Sequence, residues 1–113
     1  MYTFYNARKE ITFDKYNTPT PWMNYLSNGV FHTMISHCGG GVAFYRSPQI
    51  WRINHYRFFH LPTDRSGFYT YIKDGDTVWA PTNEPCPVKP EQWRSTHGMG
   101  YTRFEARRGG VNV

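Results

Sequence analysis

The feature that most constrains this fold is an alternation of apolar and polar residues in short runs, broken roughly every ten residues by turn-forming residues. In Glu10–Asp14 the alternation points Ile11 and Phe13 to one side, and Phe31–His37 and Val42–Arg46 show shorter versions of the same pattern. A two-residue period is typical of strands, and no segment sustains a helical period. The sequence therefore predicts an all-β fold, an antiparallel β-sandwich.

Two hairpins are predicted from turn dipeptides. Phe68–Lys73 and Thr77–Ala80 flank Asp74-Gly75, a dipeptide suited to a type I′ turn. Tyr101–Arg107 alternates before Gly109-Gly110, which can reverse the chain into its last three residues. A sandwich that stops inside a hairpin has an unpaired edge, so we expect the sandwich to be incomplete and covered by another segment or chain.

Proline and glycine mark the loops between these runs. Pro19 and Pro21 bias the residues before them to extended conformations, so Asn17–Trp22 is expected to be ordered and non-helical. A single short helical turn is compatible with the sequence around Trp22–Tyr25.

Three consecutive glycines, Gly39–Gly41, raise the question of a phosphate cradle. A P-loop continues into Lys-Ser/Thr and a helix, and a dinucleotide fingerprint needs GxGxxG before a helix. Here a strand-like run follows instead. The glycines therefore indicate a sharp bend between two strands, where positive φ or close backbone approach is needed.

Composition bounds the class of protein. The chain has 113 residues, enough for one small domain or part of a larger one, and 19% of them are aromatic. Aliphatic residues are scarce, so we expect aromatic rings to supply most of the buried surface, with the surplus in grooves or at interfaces.

The charge pattern argues against nucleic acid as a partner. The formal net charge is +5, but the thirteen Lys and Arg are scattered and only Arg107-Arg108 form a tight cluster. Scattered arginines also suit anionic small ligands or a polar interface. No apolar stretch approaches the roughly 20 residues of a membrane span, so no membrane partner is expected.

Neither a metal centre nor a catalytic pair is predicted. Cys38 and Cys86 lack a CxxC partner, which, with no signal-like leader, favours a reducing cytoplasm. The five histidines show no ligand spacing, and no two carboxylates are singled out for glycosidase chemistry. His37 and Cys38 are neighbours on a strand and point apart, so we expect the pair to be structural.

The stretch 45–59 is dense in aromatic and guanidinium groups. Aromatic faces stack on sugar rings, and arginine forks bind hydroxyls and anions. The alternative is a strand edge whose arginines pair with acids elsewhere. The candidate substrate-binding residues are Tyr45, Arg46, Trp51, Arg52, Tyr56 and Arg57.

Five segments, in order, resemble the N-terminal region of glycoside hydrolase family 94, the inverting cellobiose and chitobiose phosphorylases. They are TPTPWMNYLSNG, MISHCGGGVAFYRSP, WRINHYRF, PTDRSGFYTYIKDGDTVWAPT and THGMGYTRFEARRGGVNV. The resemblance begins near Thr18 and covers nearly all the rest of the chain. Phe59 and His60 stand where the family pattern has an amide pair, and Thr96 stands where it has arginine.

The resemblance implies that residues 1–113 are the N-terminal portion of a galactose-mutarotase-like super-sandwich. The catalytic (α/α)6-barrel, with its general acid and phosphate-binding residues, is absent from this chain. Such enzymes cleave a β-linked disaccharide with inorganic phosphate as co-substrate, and they use no metal or organic cofactor. Their sandwich takes part in a homodimer interface, and its loops approach the partner's active site.

Three hypotheses follow for the chain. The first is a non-catalytic part of a disaccharide phosphorylase, serving scaffold, subunit contact and one wall of a sugar site. The second is a free-standing carbohydrate-binding module that uses exposed aromatic rings. The third, a basic nucleic-acid binder, would show strongly salt-dependent retention of DNA or RNA.

Overall fold

The structure is a computed structural model that describes residues 1–55 and 66–113. Within those residues the regular structure is entirely strand and no helix is present, which confirms the all-β prediction. The strands are β1 (Tyr2–Tyr5), β2 (Glu10–Phe13), β3 (Met23–Ser27), β4 (Phe31–Ser36), β5 (Gly41–Tyr45), β6 (Ile72–Asp74), β7 (Thr77–Trp79), β8 (Gln92–His97), β9 (Thr102–Arg108) and β10 (Val111–Asn112).

The strands form two sheets and a separate hairpin, all with antiparallel pairing. The large sheet has the order β1-β2-β8-β9-β10, the small sheet is β3-β4-β5, and β6 pairs with β7. The middle strand of the large sheet, β8, was not predicted from the sequence. Ser95, Thr96 and His97 are all buried in β8, and polar residues at consecutive buried positions hide the alternation of a strand.

One predicted hairpin is confirmed and the other is shifted. Val111 pairs with Arg108 across Gly109-Gly110, both with positive φ, as a type I′ turn requires. In the other hairpin Asp74 pairs with Thr77, so the turn residues are Gly75-Asp76 and not Asp74-Gly75. Only Gly75 has positive φ, which is the pattern of a type II′ turn, and the prediction of type I′ was wrong.

A second local prediction was also wrong. Residues 23–27 form strand β3 rather than a helical turn at Trp22–Tyr25. The segment pairs along its whole length with β4, from Met23 opposite Ser36 to Ser27 opposite His32. Five ladder positions outweigh the weak helical preference of so short a segment.

The triple glycine makes the predicted bend, between β4 and β5. Gly39 has φ +87, and a Cβ on Gly41 would lie 1.9 Å from the carbonyl oxygen of Met34. The backbone groups of the bend are bonded within the chain, because Gly39 N–H donates to Ser36 and Gly41 N–H to Ser66. With these N–H groups occupied, the loop is no phosphate cradle, as the sequence indicated.

The core of the described residues is small and partly polar. Its largest fully buried side chains include Trp79, Phe13 and His37. The expectation that aromatic rings supply most of the burial holds only in part, because many rings lie at the surface, among them Tyr25 at 71% and Trp51 at 58% exposure. Across residues 1–55 and 66–113 there is no helix long and apolar enough to cross a bilayer.

Candidate functional site

The structure brings four of the six predicted site residues together along the free side of β5. Tyr45 ends that strand and Arg46 follows it, and the chain then turns so that residues 51–53 run beside β5. Tyr45 N–H donates to the carbonyl of Trp51 at 2.9 Å, and Ile53 N–H donates to the carbonyl of Ala43 at 2.9 Å. We call this region, formed by Tyr45, Arg46, Ile50, Trp51 and Arg52, the β5 edge.

The other two predicted residues, Tyr56 and Arg57, lie outside the described residues. No contact or position is assigned to them. Their role in sugar binding stays a prediction.

The side chain of Asn54 holds this second segment against β5. Its Oδ1 accepts from Ala43 N–H at 2.7 Å, and its Nδ2 donates to the carbonyl of Gly41 at 3.1 Å. The amide therefore bonds one donor and one acceptor of the strand, as a neighbouring strand would. Sequence reasoning did not single out Asn54, because its importance depends on a contact thirteen residues away with Gly41.

The turn at the end of β5 orients a cationic group over an aromatic ring. Arg46 has φ 56, a backbone conformation that residues other than glycine seldom adopt, and its N–H donates to the carbonyl of Val30 at 2.7 Å. Its guanidinium carbon lies 5.2 Å from the centroid of the Tyr45 ring, within range of a cation–π contact. The ring and the guanidinium thus form one exposed unit.

The β5 edge presents more apolar surface than a lone hydrophobic residue would. Trp51 is 58% exposed, Ile50 70% and Tyr45 40%. Exposed indole and phenol rings beside guanidinium groups can stack on a sugar ring and bond its hydroxyls. None of the five residues that form the β5 edge is acidic, so these side chains are suited to contacts with a ligand.

Sequence reasoning missed the strongest polar constellation, which lies between the two sheets. The Phe13 ring packs between two histidines, with centroid distances of 5.0 Å to His37 and 5.3 Å to His97. Trp22 lies against the same ring at 5.7 Å. We call these four residues the inter-sheet junction. The signal available in the sequence was weak, since Trp22, His37 and His97 are far apart in the chain.

The backbone of Trp22 bonds both histidines of the junction. Its N–H donates to His37 Nδ1 at 3.2 Å, and its carbonyl accepts from His97 Nε2 at 3.1 Å. His37 Nε2 lies 3.1 Å from the carbonyl of Tyr16 and 3.1 Å from the hydroxyl of Thr18. Since a carbonyl only accepts, both rings carry a proton on Nε2. His37 is neutral in this arrangement, because its Nδ1 accepts from the Trp22 N–H.

Burial lowers the pKa of both histidines from the ordinary value. Loss of solvation is the main cause in each case, and for His97 the nearby His37 lowers the pKa further. Hydrogen bonds to backbone carbonyls, of Tyr16 for His37 and of Trp22 for His97, raise the pKa but do not cancel the shift. The prediction that His37 and Cys38 lie on a strand and point apart was wrong: both follow β4 in a turn, and His37 Nε2 and Cys38 Sγ lie 3.1 and 3.3 Å from the same Tyr16 carbonyl. In the described part of the chain no group of side chains is arranged to hold a metal ion.

The sequence comparisons decide the family. The family model described as "Glycosyl hydrolase 94, supersandwich domain" matches residues 8–113. The chain belongs to this family. The resemblance drawn from five ordered segments is thereby confirmed, and so is the sandwich class.

The relatives are phosphorylases of several disaccharides. The supersandwich chain is 33% identical to the N,N'-diacetylchitobiose phosphorylase of Vibrio proteolyticus over 97% of its own length and 14% of that protein. It is 31% identical to the 3-O-beta-D-glucopyranosyl-beta-D-glucuronide phosphorylase of Paenibacillus borealis and 32% identical to the solabiose phosphorylase of the same organism. These two matches cover 91% and 90% of this chain, and 12% and 14% of the relatives. The chain thus spans about one seventh of the length of the first.

Two family segments of the supersandwich domain hold the sheets together. TPTPWMNYLSNG supplies Trp22 to the junction and also Asn24, whose Nδ2 lies 3.0 Å from the carbonyl of Gly98 and 2.9 Å from that of Tyr101. THGMGYTRFEARRGGVNV supplies both those carbonyls and His97. Residues in these two family segments therefore hold the small sheet against the large sheet.

Proposed function

We propose that this supersandwich domain is a non-catalytic N-terminal part of an inverting disaccharide phosphorylase. It serves as scaffold, as a subunit contact in a homodimer or with a barrel-containing partner, and as one wall of a sugar site. The observation that carries this proposal is family membership over residues 8–113 together with the exposed β5 edge. The complete enzyme would act in the cytoplasm on a β-linked disaccharide, use inorganic phosphate as co-substrate, and need no organic cofactor or metal.

Three of the acidic side chains are already bonded to other residues of the chain, which supports a non-catalytic role. Glu10 accepts from the hydroxyl of Tyr101, Glu84 pairs with Lys89, and Glu105 lies 3.4 Å from Arg103 Nε. None of these carboxylates lies at the β5 edge beside the aromatic rings. Cleavage of a glycosidic bond needs a general acid at the leaving oxygen, and phosphate would replace water as the nucleophile.

The β5 edge supports a role in sugar contact. Trp51 offers an exposed flat ring, and Tyr45 with Arg46 forms a second ring capped by a charge. A wall of this kind adds stacking and hydroxyl contacts while the reacting groups lie on another part of the enzyme.

The direct test is phosphorolysis by the chain alone. Incubated with inorganic phosphate and cellobiose or N,N'-diacetylchitobiose, the purified chain should release no sugar 1-phosphate, because none of the described residues that form the β5 edge is a carboxylic acid. Measurable turnover that survives repurification would overturn the proposal.

The exposed rings of Trp51 and Tyr45 favour one second candidate, a free-standing carbohydrate-binding module. A monomeric chain that binds cello- or chito-oligosaccharides saturably, and loses that binding in Trp51→Ala, supports the module. A chain that remains in solution only when a barrel-containing polypeptide is co-expressed supports the phosphorylase part.

A further inference from the structure

A second surface feature lies on the large sheet. It occupies the face of that sheet that points away from the inter-sheet junction. Side chains alternate between the two faces of a strand, and Phe13, Ser95 and His97 belong to the junction side. The opposite face therefore carries Tyr5, Glu10, Thr12, Arg94, Thr96 and Arg103.

These residues line a cleft of about 490 Å³, completed by the β1–β2 turn. Small-ligand sites have volumes of roughly 300–1,000 Å³, so the cleft suits one small molecule. Its floor is the row where Thr12 pairs with Thr96 and Thr96 pairs with Arg103. The hydroxyls of Thr12 and Thr96 are 3.1 Å apart, and Thr96 is buried at 1% exposure. The floor is thus polar and fixed by the sheet.

Three guanidinium groups surround that floor. Arg94 and Arg103 rise from β8 and β9, and Arg8 comes from the β1–β2 turn, where its N–H donates to the carbonyl of Tyr5 at 3.1 Å. The lining contains one carboxylate, Glu10. Arg103 Nε also lies 3.4 Å from the Glu105 carboxylate, so with Glu10 and Glu105 both counted the three arginines leave an excess of one positive charge.

The one carboxylate of the cleft is already engaged. Glu10 accepts a hydrogen bond from the hydroxyl of Tyr101, and it raises the pKa of that hydroxyl. Arg103 and Arg8 act on the same hydroxyl in the opposite direction, which shows that both lie within electrostatic range of it. Glu105 is the cross-strand partner of Arg94, but its carboxylate pairs with Arg103, and within the described residues no ion pair forms to Arg94, so the Arg94 guanidinium keeps donors for an incoming anion.

A neighbouring cleft has no such excess of positive charge. It shares Arg94 and Arg103 but also takes in Asp14, Glu91 and Glu105. Arg107 lies at this acidic end, opposite Gln92 on β8 and Asn112 on β10. The three carboxylates of this cleft balance its three arginines, so an anion should bind at the Arg8 end of the face, where positive charge is in excess.

We propose that the Arg8–Arg94–Arg103 cleft binds a small hydroxylated molecule through a phosphate or carboxylate group. The guanidinium forks would take the oxyanion, and the Thr12 hydroxyl and the Tyr5 ring are placed to meet the rest of the ligand. This inference goes beyond the proposed function and does not depend on it, because it concerns a different face of the domain.

The test is a titration of the chain at constant ionic strength, followed by the amide resonances of Thr12, Thr96 and Arg103. The probes are inorganic phosphate, glucose 1-phosphate, glucuronate and, as the neutral control, glucose. We expect saturable shifts with the anionic probes and none with glucose. If glucose 1-phosphate binds more tightly than glucuronate, the cleft prefers a phosphate group. If glucuronate binds more tightly, it prefers a carboxylate.

Variants locate the site. Arg94→Ala should weaken binding of the better probe by about tenfold or more, since a charge-assisted bond is lost. Arg94→Lys keeps the charge but not the fork, so it should fall between Arg94→Ala and the unaltered chain. Arg107→Ala, the matched control at the acidic end, should bind as the unaltered chain does. Non-saturating shifts, equal binding of glucose, or an equal loss in Arg107→Ala would each overturn the proposal.

Discussion

The inter-sheet junction and the β5 edge use similar aromatic and nitrogen-bearing side chains in opposite ways. At the junction Phe13 is fully buried, and His37 and His97 are 1% and 6% exposed with both ring nitrogens bonded. At the β5 edge Trp51 is 58% exposed and its neighbours face solvent. The polar groups of the junction are buried and bonded within the chain, whereas the side chains of the β5 edge are exposed and can contact a ligand. Residue type alone therefore does not tell a structural cluster from a contact surface in this domain.

The largest effect should come from truncating the centre of the junction. Phe13→Ala removes a fully buried ring that contacts Trp22, His37 and His97, and it should lower the free energy of unfolding by about 3–5 kcal/mol. Trp51→Ala, the matched truncation at the β5 edge, should cost less than about 1 kcal/mol. Urea unfolding followed by circular dichroism measures both. Equal losses in the two variants would remove the distinction between the regions.

A smaller effect should follow from pH. The folded-state pKa of both His37 and His97 lies below the ordinary value of 6.5, so the unfolded chain binds more protons as the pH falls through that value. The stability they contribute is complete above about pH 6.5 and is lost progressively below it, with a slope of at most about 1.4 kcal/mol per pH unit for each histidine.

Urea unfolding at about pH 7.5 and about pH 5.5 tests this pH dependence. The double variant His37→Gln/His97→Gln should reduce the difference in unfolding free energy between the two pH values, because glutamine does not titrate. His32→Gln should keep the difference, since His32 lies outside the junction, stacked on Phe44. A free energy of unfolding that rises when the pH is lowered would contradict this prediction.

A third, more local effect concerns how firmly the β5 edge is held. Asn54→Ala leaves Ala43 N–H and the Gly41 carbonyl without their side-chain partner and should cost about 1–3 kcal/mol. The amides of Tyr45 and Ile53 should exchange faster with solvent, while those of the junction should change less. Asn6→Ala, in the exposed β1–β2 turn, is the control and should leave both regions unchanged. Slower or unaltered exchange at Tyr45 would show that Asn54 does not anchor the edge.

Local chemistry made part of the fold predictable. Gly109-Gly110 fixes its hairpin because both residues adopt positive φ, and Gly39 with Gly41 fixes the bend before β5 because side chains do not fit there. Prediction failed where pairing partners decided the outcome. β3 is a strand because β4 lies beside it, and β8 is one because β2 and β9 flank it.

The candidate site was predictable in composition but not in arrangement. The density of rings and arginines in residues 45–59 indicated a contact surface, and the structure does place Tyr45 beside Trp51. The anchoring role of Asn54 was not visible, because it depends on contacts with β5 that residue spacing does not show. Tyr56 and Arg57 remain predictions of the sequence alone.

The sequence by itself determined the all-β class, the glycine-dependent turns and membership of the glycosyl hydrolase 94 supersandwich family. Each of these depends on short segments whose residue types act locally or in a fixed order. Only the tertiary structure decided that Trp22 joins His37 to His97, and that Arg94 and Arg103 share a cleft with Arg8. The physical reason is that strand pairing joins residues distant in the chain, and their charges and hydrogen bonds act together only after the sheets have formed.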